Sequence, residues 1–176
     1  MLLWSIARAS AFVAFTAYTF VIVWGMLIAA RVLRPAAAAV AAHRFLSSLG
    51  LIAIGTHVTA LLLDGYAKVS LPMLVGLHSR PSLVAGAIAM WLCVALPLSF
   101  RLRKAKWISQ RVWRRFHWFG YAVWVLALAH GITAGSDTGS PFALAAYGGA
   151  AAVVALAGCY RLGVRRRRRP APAAAR

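Results

Sequence analysis

The residues of this sequence best suited to chemistry are histidines, because four of the five lie within long apolar segments. His43 and His57 are 14 residues apart in one segment, and His117 and His130 are 13 residues apart in another. Neutral imidazole is a good iron ligand and adds no charge to an apolar environment. Two imidazoles on opposite sides of one iron atom are a common way of holding haem in electron-transfer proteins.

The spacing arranges the four histidines in two levels. A helix rises 1.5 Å per residue, so the two histidines of each segment are about 20 Å apart along its axis. Both segments are expected to run in the same direction through a membrane. His43 and His117 then share one level, called the inner level, while His57 and His130 share the outer level. Two imidazoles from different helices at each level predict two haems, one above the other.

The two spacings place the histidine side chains differently around the helix axis. At about 100° per residue, 14 residues nearly return to the same helix face, but 13 residues leave His130 about 140° from His117. The second segment is therefore expected to be kinked or bulged, or to face haem on two flanks.

Buried histidines can also have roles that involve no metal. A single histidine within a membrane helix is usually a core residue that is hydrogen-bonded to a neighbouring helix. Four histidines at two matched levels are harder to obtain in this way. A proton relay is another possibility, but such relays normally include Asp or Glu, and the apolar segments contain neither. His78 lies outside these segments and is expected to be a solvated loop residue.

The elements that must position these histidines are expected to be transmembrane helices. Of the 176 residues, 62% are hydrophobic and 12% are charged, with a mean hydropathy of +0.77. A soluble domain carries about 25% charged residues, which excludes an ordinary soluble fold. About 20 apolar residues cross a bilayer. An all-α integral membrane bundle of about five helices is predicted, with spans near Ala11–Ala30, His43–Leu63, Ser82–Phe100, Phe116–Thr133 and Phe142–Tyr160.

The charges are strongly segregated along the chain. There are 20 Lys and Arg residues against two Asp and Glu, a net charge of +18. Seventeen of the cations lie after the first and third apolar segments, at the start of the second, or in the C-terminal tail. By the positive-inside rule these regions are cytoplasmic. A multi-pass protein of the inner or plasma membrane is predicted, with its N-terminus outside and its C-terminus in the cytoplasm.

The basic C-terminus is interpreted as an anchor rather than a nucleic-acid-binding tail. Residues 1–164 are expected to form the membrane domain, and residues 165–176 a disordered cytoplasmic tail. An arginine run directly after a span is typical of a stop-transfer anchor that also contacts anionic membrane lipid. Docking of an acidic cytosolic electron donor is the main alternative, and no nucleic-acid partner is expected.

Two stretches that contain the histidines resemble a known family. HRFLSSLGLIAIGTHV (His43–Val58) and WRRFHWFGYAVWVLALAHG (Trp113–Gly131), with ALPLSFRLRK (Ala95–Lys104), resemble the ferric reductase-like transmembrane domain family. This family contains NADPH oxidases, ferric reductases and the haem-binding membrane subunit of the bacterial methionine sulfoxide reductase system. The resemblance extends over roughly residues 6–160. It implies that His43 and His117 hold an inner haem b, and that His57 and His130 hold an outer haem b.

The resemblance also implies roles for four arginines. The segment ARASA looks like the part of the family that carries an arginine beside the outer haem, so Arg8 would contact a propionate or the acceptor. Arg44, Arg114 and Arg115 lie beside the inner ligands and would pair with inner propionates. The alternatives are an interfacial anchor for Arg8 and ordinary positive-inside charge for the other three.

The sequence departs from the family in two respects. Many members have a sixth, N-terminal helix and a C-terminal flavin and nicotinamide domain, whereas no GxGxxG motif in a βαβ context is found here. The expected function is therefore that of an oxidoreductase component without catalytic residues of its own: a di-haem cytochrome that passes electrons outward. Its donor would be a separate cytosolic flavin reductase or a quinol, and its acceptor ferric iron, oxygen or a periplasmic protein.

Two further functions remain open from the sequence. The first is a quinol-oxidising di-haem cytochrome b subunit of a larger respiratory complex, since such subunits also carry two histidines per helix. The second is a haem-free membrane protein with a transport or interaction role. The lack of acids within the spans argues against ion-coupled transport.

Overall fold

The computed structural model describes residues 1–33, 37–65 and 67–167, with side chains up to residue 165. Within these ranges every regular element is a helix, which confirms the all-α prediction. The seven helices are α1 (Leu2–Ala29), α2 (Ala37–Leu63), α3 (Leu71–Leu74), α4 (Pro81–Lys104), α5 (Gln110–His117), α6 (Phe119–Ala134) and α7 (Pro141–Arg167).

Four helices of the described chain are long and apolar enough to cross a membrane, judged by length and composition: α1, α2, α4 and α7. They correspond to the first, second, third and fifth predicted spans, and each begins before the predicted first residue. Helix α1 begins nine residues early, at Leu2. Polar residues in its first turns do not stop it, because the Ser10 hydroxyl donates to the Ile6 carbonyl over 2.6 Å.

The fourth predicted span is shorter than expected. It corresponds to α6, which has 16 residues and is therefore about 24 Å long, less than the ~30 Å hydrocarbon core of a bilayer. Helix α5 ends at His117, and Trp118 interrupts the helix. The interruption lies between His117 and His130, in the stretch where the 13-residue spacing predicts a kink or bulge.

Local hydrogen bonds account for the interruption at Trp118. The Trp118 N–H donates to the Arg115 carbonyl, and the Tyr121 N–H donates to the Trp118 carbonyl, at 3.2 and 3.1 Å. Both bonds span three residues rather than four, which tightens the turn as in a 3₁₀-helix. The tighter turn changes the direction in which successive side chains leave the helix.

Helix α1 is at the centre of the packing. It packs against α2, α6 and α7, while α4 packs mainly against α6. Phe15, Ile22, Met26 and Trp124 form one buried cluster. The Trp124 indole donates to the Thr19 hydroxyl over 3.0 Å, which satisfies both polar groups in the core. A second cluster contains Tyr18, Val21, Cys93 and Val123.

The last described helix ends later than the predicted start of the C-terminal tail. Helix α7 continues to Arg167, three residues into the predicted tail of residues 165–176. Residues 168–176 lie outside the described ranges. Both cysteines are free; Cys93 is buried and Cys159 is exposed.

Candidate cofactor site: two histidine pairs

The outer histidines are both fixed by backbone carbonyls. Nδ1 of His57 lies 2.8 Å from the Ala7 carbonyl oxygen on α1, and Nδ1 of His130 lies 2.8 Å from the Ser82 carbonyl oxygen on α4. A carbonyl oxygen only accepts, so each Nδ1 must carry the proton that is donated. Nε2 is then the lone-pair atom of each neutral ring. Metal-binding histidines commonly have this arrangement, in which the second nitrogen donates to a carbonyl.

His57 and His130 line the same cavity inside the bundle. The empty space of this pocket is about 1040 Å³ including its opening to solvent, and most of its lining is apolar. The cavity extends inward to Tyr18 and Cys93, and Met73 of the short helix α3 lies at its edge. Small-molecule and cofactor sites are typically concave and apolar, with a few placed polar groups. The two imidazoles are such polar groups here.

Gly86 on α4 creates the space that the His130 ring occupies. A Cβ atom at this position would lie 2.7 Å from Nδ1 and Cε1 of His130, closer than real Cβ contacts. Gly86 is one turn after Ser82, so the ring that lies against Gly86 also reaches the Ser82 carbonyl. A larger residue at position 86 would require the ring or α4 to move.

The inner histidines form a direct pair. The ring centres of His43 on α2 and His117 on α5 are 6.2 Å apart, and the rings are tilted by 60°. A transition-metal bond to an imidazole nitrogen is about 2 Å long, so two imidazoles on opposite sides of one metal atom have ring centres about 6 Å apart. At the observed separation of ring centres, one metal atom between the two imidazoles would be within bonding distance of both.

Each inner histidine has a distinct environment. His43 is half-buried against α1, where a Cβ on Gly25 would lie 3.4 Å from its Cε1 atom. Its Nδ1 atom is buried without a well-formed hydrogen bond, although the ring faces the Val21 carbonyl. His117 is more exposed and stacks on Trp113, with ring centres 5.1 Å apart.

Each histidine pair supplies two protein ligands for a metal. Among the described residues, no cluster of three or more His, Cys, Asp or Glu side chains could hold a metal ion. A bare transition metal usually takes four or more ligands. A porphyrin supplies four equatorial nitrogens and leaves two axial positions, which is what a pair of imidazoles can fill. The donor set therefore fits haem, and haem binding by these four residues stays a prediction.

Arg8 is held by an acidic partner at the outer level. Its guanidinium binds Asp137 through two parallel bonds, Nε to Oδ2 at 2.6 Å and Nη2 to Oδ1 at 2.5 Å. Asp137 lies in the loop between α6 and α7, so the pair ties that loop to α1. The next residue to Arg8 in the chain, Ala7, accepts the hydrogen bond from His57. Arg8 thus lies close to the outer histidines, and its predicted contact with a haem propionate stays a prediction.

The other three arginines of the predicted site lie at the surface. The Arg44 guanidinium carbon is 5.7 Å from the centre of the Phe100 ring. Arg114 and Arg115 are exposed on α5. Their predicted pairing with inner propionates stays a prediction. Among the described arginines, Arg103 and Arg161 are less exposed than these three.

We expect the Arg8–Asp137 pair to contribute little to stability. The side chains are 46% and 23% exposed, so solvent and salt screen their attraction, and such pairs are typically worth about 0.5 kcal/mol. A double-mutant cycle with Arg8→Gln and Asp137→Asn, read by chemical unfolding in detergent, should give a coupling of this size that shrinks in 1 M salt. A coupling of several kcal/mol that salt does not alter would contradict this.

Three residues of the site were missed in the sequence: Gly86, Arg103 and Trp113. Trp113 precedes His117 by four residues, and i, i+4 neighbours on a helix are in contact, so this residue was within reach of sequence reasoning. Gly86 and Arg103 belong to α4, which carries no histidine. Only the packing of α4 on α5 and α6 brings them to the site.

Comparison with known proteins does not supply a family for this chain. No protein-family model, no curated protein and no solved structure matches it. The resemblance to the ferric reductase-like transmembrane domain family therefore stays an expectation that rests on the two histidine-containing stretches and on Ala95–Lys104.

Proposed function

We propose that this protein is a di-haem b-type membrane cytochrome that passes electrons across a membrane. The observation that carries the proposal is the occurrence of two histidine pairs at two levels of one helical bundle, each pair drawn from two different helices. His43 and His57 belong to one uninterrupted helix, which separates the two levels by about 21 Å. This separation is most of the ~30 Å thickness of a bilayer core.

The protein's own part is to orient ligands and exclude water. Bound haem would supply one-electron chemistry. The bonds from Nδ1 of His57 and His130 to carbonyls hold both rings, direct the Nε2 atoms away from those carbonyls, and raise the basicity of the ligands. The apolar lining of the outer cavity keeps water away and so favours the less charged state of a bound iron.

We further propose that electrons enter at the inner level and leave at the outer level. The cations of the chain are concentrated near His43 and His117, in the segments that the positive-inside rule assigns to the cytoplasm. The proposed donors are a separate flavin reductase or a membrane quinol, and the proposed acceptors are ferric iron, oxygen or a periplasmic protein. Anionic lipid would neutralise the remaining cations.

The decisive experiment is a reduced-minus-oxidised absorption spectrum of the purified protein, together with a haem assay. We expect b-type bands and two haems per chain. The His43→Ala/His57→Ala/His117→Ala/His130→Ala variant should lack these bands and should still fold as a helical protein by circular dichroism. A colourless wild-type protein that folds stably after expression with added haem would reject the proposal.

The donor can be identified in proteoliposomes that contain the protein and an enclosed ferric acceptor. A flavin reductase with NADPH and a reduced quinol are added separately, and haem reduction is followed at the b-type band. Reduction by quinol alone would favour the alternative of a quinol-oxidising cytochrome b subunit. Reduction by the flavin reductase alone would favour the ferric reductase-like mechanism.

A further inference from the structure

Three buried side-chain nitrogen atoms of the described residues lack a well-formed hydrogen bond, and the residues that carry them are connected by successive ring contacts. They are Nδ1 of His43, which faces the Val21 carbonyl, Nε of Arg103 and Nε1 of Trp113. Trp113 stacks on His117, His117 pairs with His43, and the Arg103 guanidinium carbon lies 4.8 Å from the centre of the Trp113 ring. These residues are called the inner cluster.

Several buried nitrogens without a good hydrogen bond in one region are energetically unfavourable. A buried donor without a partner costs about 1–3 kcal/mol, and natural proteins have few such groups. Elsewhere the buried polar side chains of the described core are paired, as Trp124 is with Thr19. The inner cluster therefore resembles a site from which a hydrogen-bonding partner is missing.

The chemistry of the cluster defines the missing partner as an acceptor. Arginine and tryptophan side chains have donors only. Arg103 already uses Nη1 to bind the side-chain oxygen of Gln110 over 2.7 Å, which leaves its Nε–H for another group. Both acids of the sequence, Asp64 and Asp137, follow the ends of α2 and α6 that carry His57 and His130, so neither lies at the inner level. The described side chains therefore supply no carboxylate to the inner cluster.

A ligand with a negative charge fits best. The inner level is rich in cations, and charge-assisted bonds from arginine to a carboxylate or phosphate are about twice as strong as neutral ones. Arg103 is only half-buried, so its side chain lies within reach of a ligand at the surface of the bundle. The rings of Phe100 and Trp113 lie 4.9 and 4.8 Å from its guanidinium carbon and would hold it in place.

We propose that the inner cluster binds an oxyanion, either a carboxylate or a phosphate, through Arg103 Nε–H and Trp113 Nε1–H. One source is a propionate of the inner haem, and this source rests on the proposed function. The other source is a phospholipid headgroup, which does not depend on haem. In either case the enclosed Arg103, rather than the exposed Arg44, Arg114 and Arg115, is the main anion-binding arginine at this level.

The test follows the indole N–H of Trp113 by ¹⁵N NMR of the protein in phosphate-free maltoside detergent. The Trp113→Phe variant assigns the signal among the seven tryptophans. Three probes are added separately: gallium(III) protoporphyrin IX, which is diamagnetic, its dimethyl ester, and phosphatidylglycerol. The acid and ester porphyrins have the same ring currents, so a difference between their spectra isolates the effect of the carboxylates.

We expect a downfield shift of the Trp113 signal with the acid porphyrin that is absent with the ester, or a saturable shift with phosphatidylglycerol. The Arg103→Gln variant should weaken the effective probe about tenfold, because one charge-assisted bond is worth about 1.5 kcal/mol or more. The matched control is Arg101→Gln on the same helix, which removes an exposed arginine and should leave the titration unchanged. Unchanged binding of the ester would show that Arg103→Gln is folded.

Failure of this inference and failure of the proposed function give different results. If absorbance shows porphyrin bound while Trp113 responds to none of the probes, water or the aromatic rings satisfy the cluster, and the inference is overturned while the cytochrome proposal stands. If neither porphyrin binds but phosphatidylglycerol shifts Trp113, the oxyanion site stands and the cytochrome proposal fails. If no probe binds or shifts the signal, both fail.

Discussion

Replacing His130 by alanine is expected to remove one of two haems and to stop electron transfer across the membrane. The His130 ring contacts Gly86, lines the cavity and is fixed by the Ser82 carbonyl, and alanine has no nitrogen that could bind a metal. The haem content should fall from two to one per chain, and the remaining b-type signal should come from the inner pair. Transfer in proteoliposomes should fall to the background of protein-free vesicles, because the outer level is then empty.

Two further variants make this result specific. His78→Ala removes the loop histidine, whose Nδ1 accepts from the backbone N–H of Arg80, and should retain both haems. His57→Ala should reproduce the loss seen with His130→Ala, since both residues line one cavity. Retention of two haems in His130→Ala, or loss of both with an unchanged circular dichroism spectrum, would contradict the assignment of two independent pairs.

Enlarging Gly86 is expected to have the second-largest effect, although this residue binds nothing itself. A Cβ 2.7 Å from the His130 ring requires the ring or α4 to move, and overpacking of this kind typically costs about 1–3 kcal/mol. Gly86→Ala should weaken outer haem binding about tenfold to hundredfold, and Gly86→Leu should abolish it. Haem titration followed by the b-type band measures both, and the inner haem should be unaffected.

Gly55 provides the matched control for Gly86. It also lies within an apolar helix, but a Cβ there meets no atom within 4 Å. Gly55→Ala should leave haem binding unchanged and raise helix stability slightly, because alanine favours a helix over glycine by about 1 kcal/mol. If Gly55→Ala and Gly86→Ala weaken haem binding equally, the effect is a general one on helix packing and not on the position of His130.

The sequence was most informative where one helix carries two chemical groups. The 14-residue spacing between His43 and His57 lies within the single helix α2, so rise and rotation per residue describe it well. Regular helix geometry does not describe the 13-residue spacing between His117 and His130, because Trp118 divides it between α5 and α6. The spacing indicated that a regular helix was unsuitable, but it did not say which residue would break it.

The sequence was least informative about which distant side chains the charged residues contact in the folded protein. Arg8 was considered for a haem propionate, yet its observed partner is Asp137, which is 129 residues away. Arg44, Arg114 and Arg115 were considered because they adjoin the inner histidines in sequence. The more enclosed Arg103 comes from α4, where no nearby histidine drew attention to it.

The amino-acid sequence by itself determined that this chain is helical and apolar, and it identified four histidines at two heights. Those properties depend on composition and on helical period, which act along the chain. Only the tertiary structure decided which backbone carbonyls hold the outer imidazoles, why Gly86 must be small, and which arginine lies at the inner pair. These features depend on how α1, α4 and α6 pack together, and contacts between distant segments of the chain are not encoded in any local spacing.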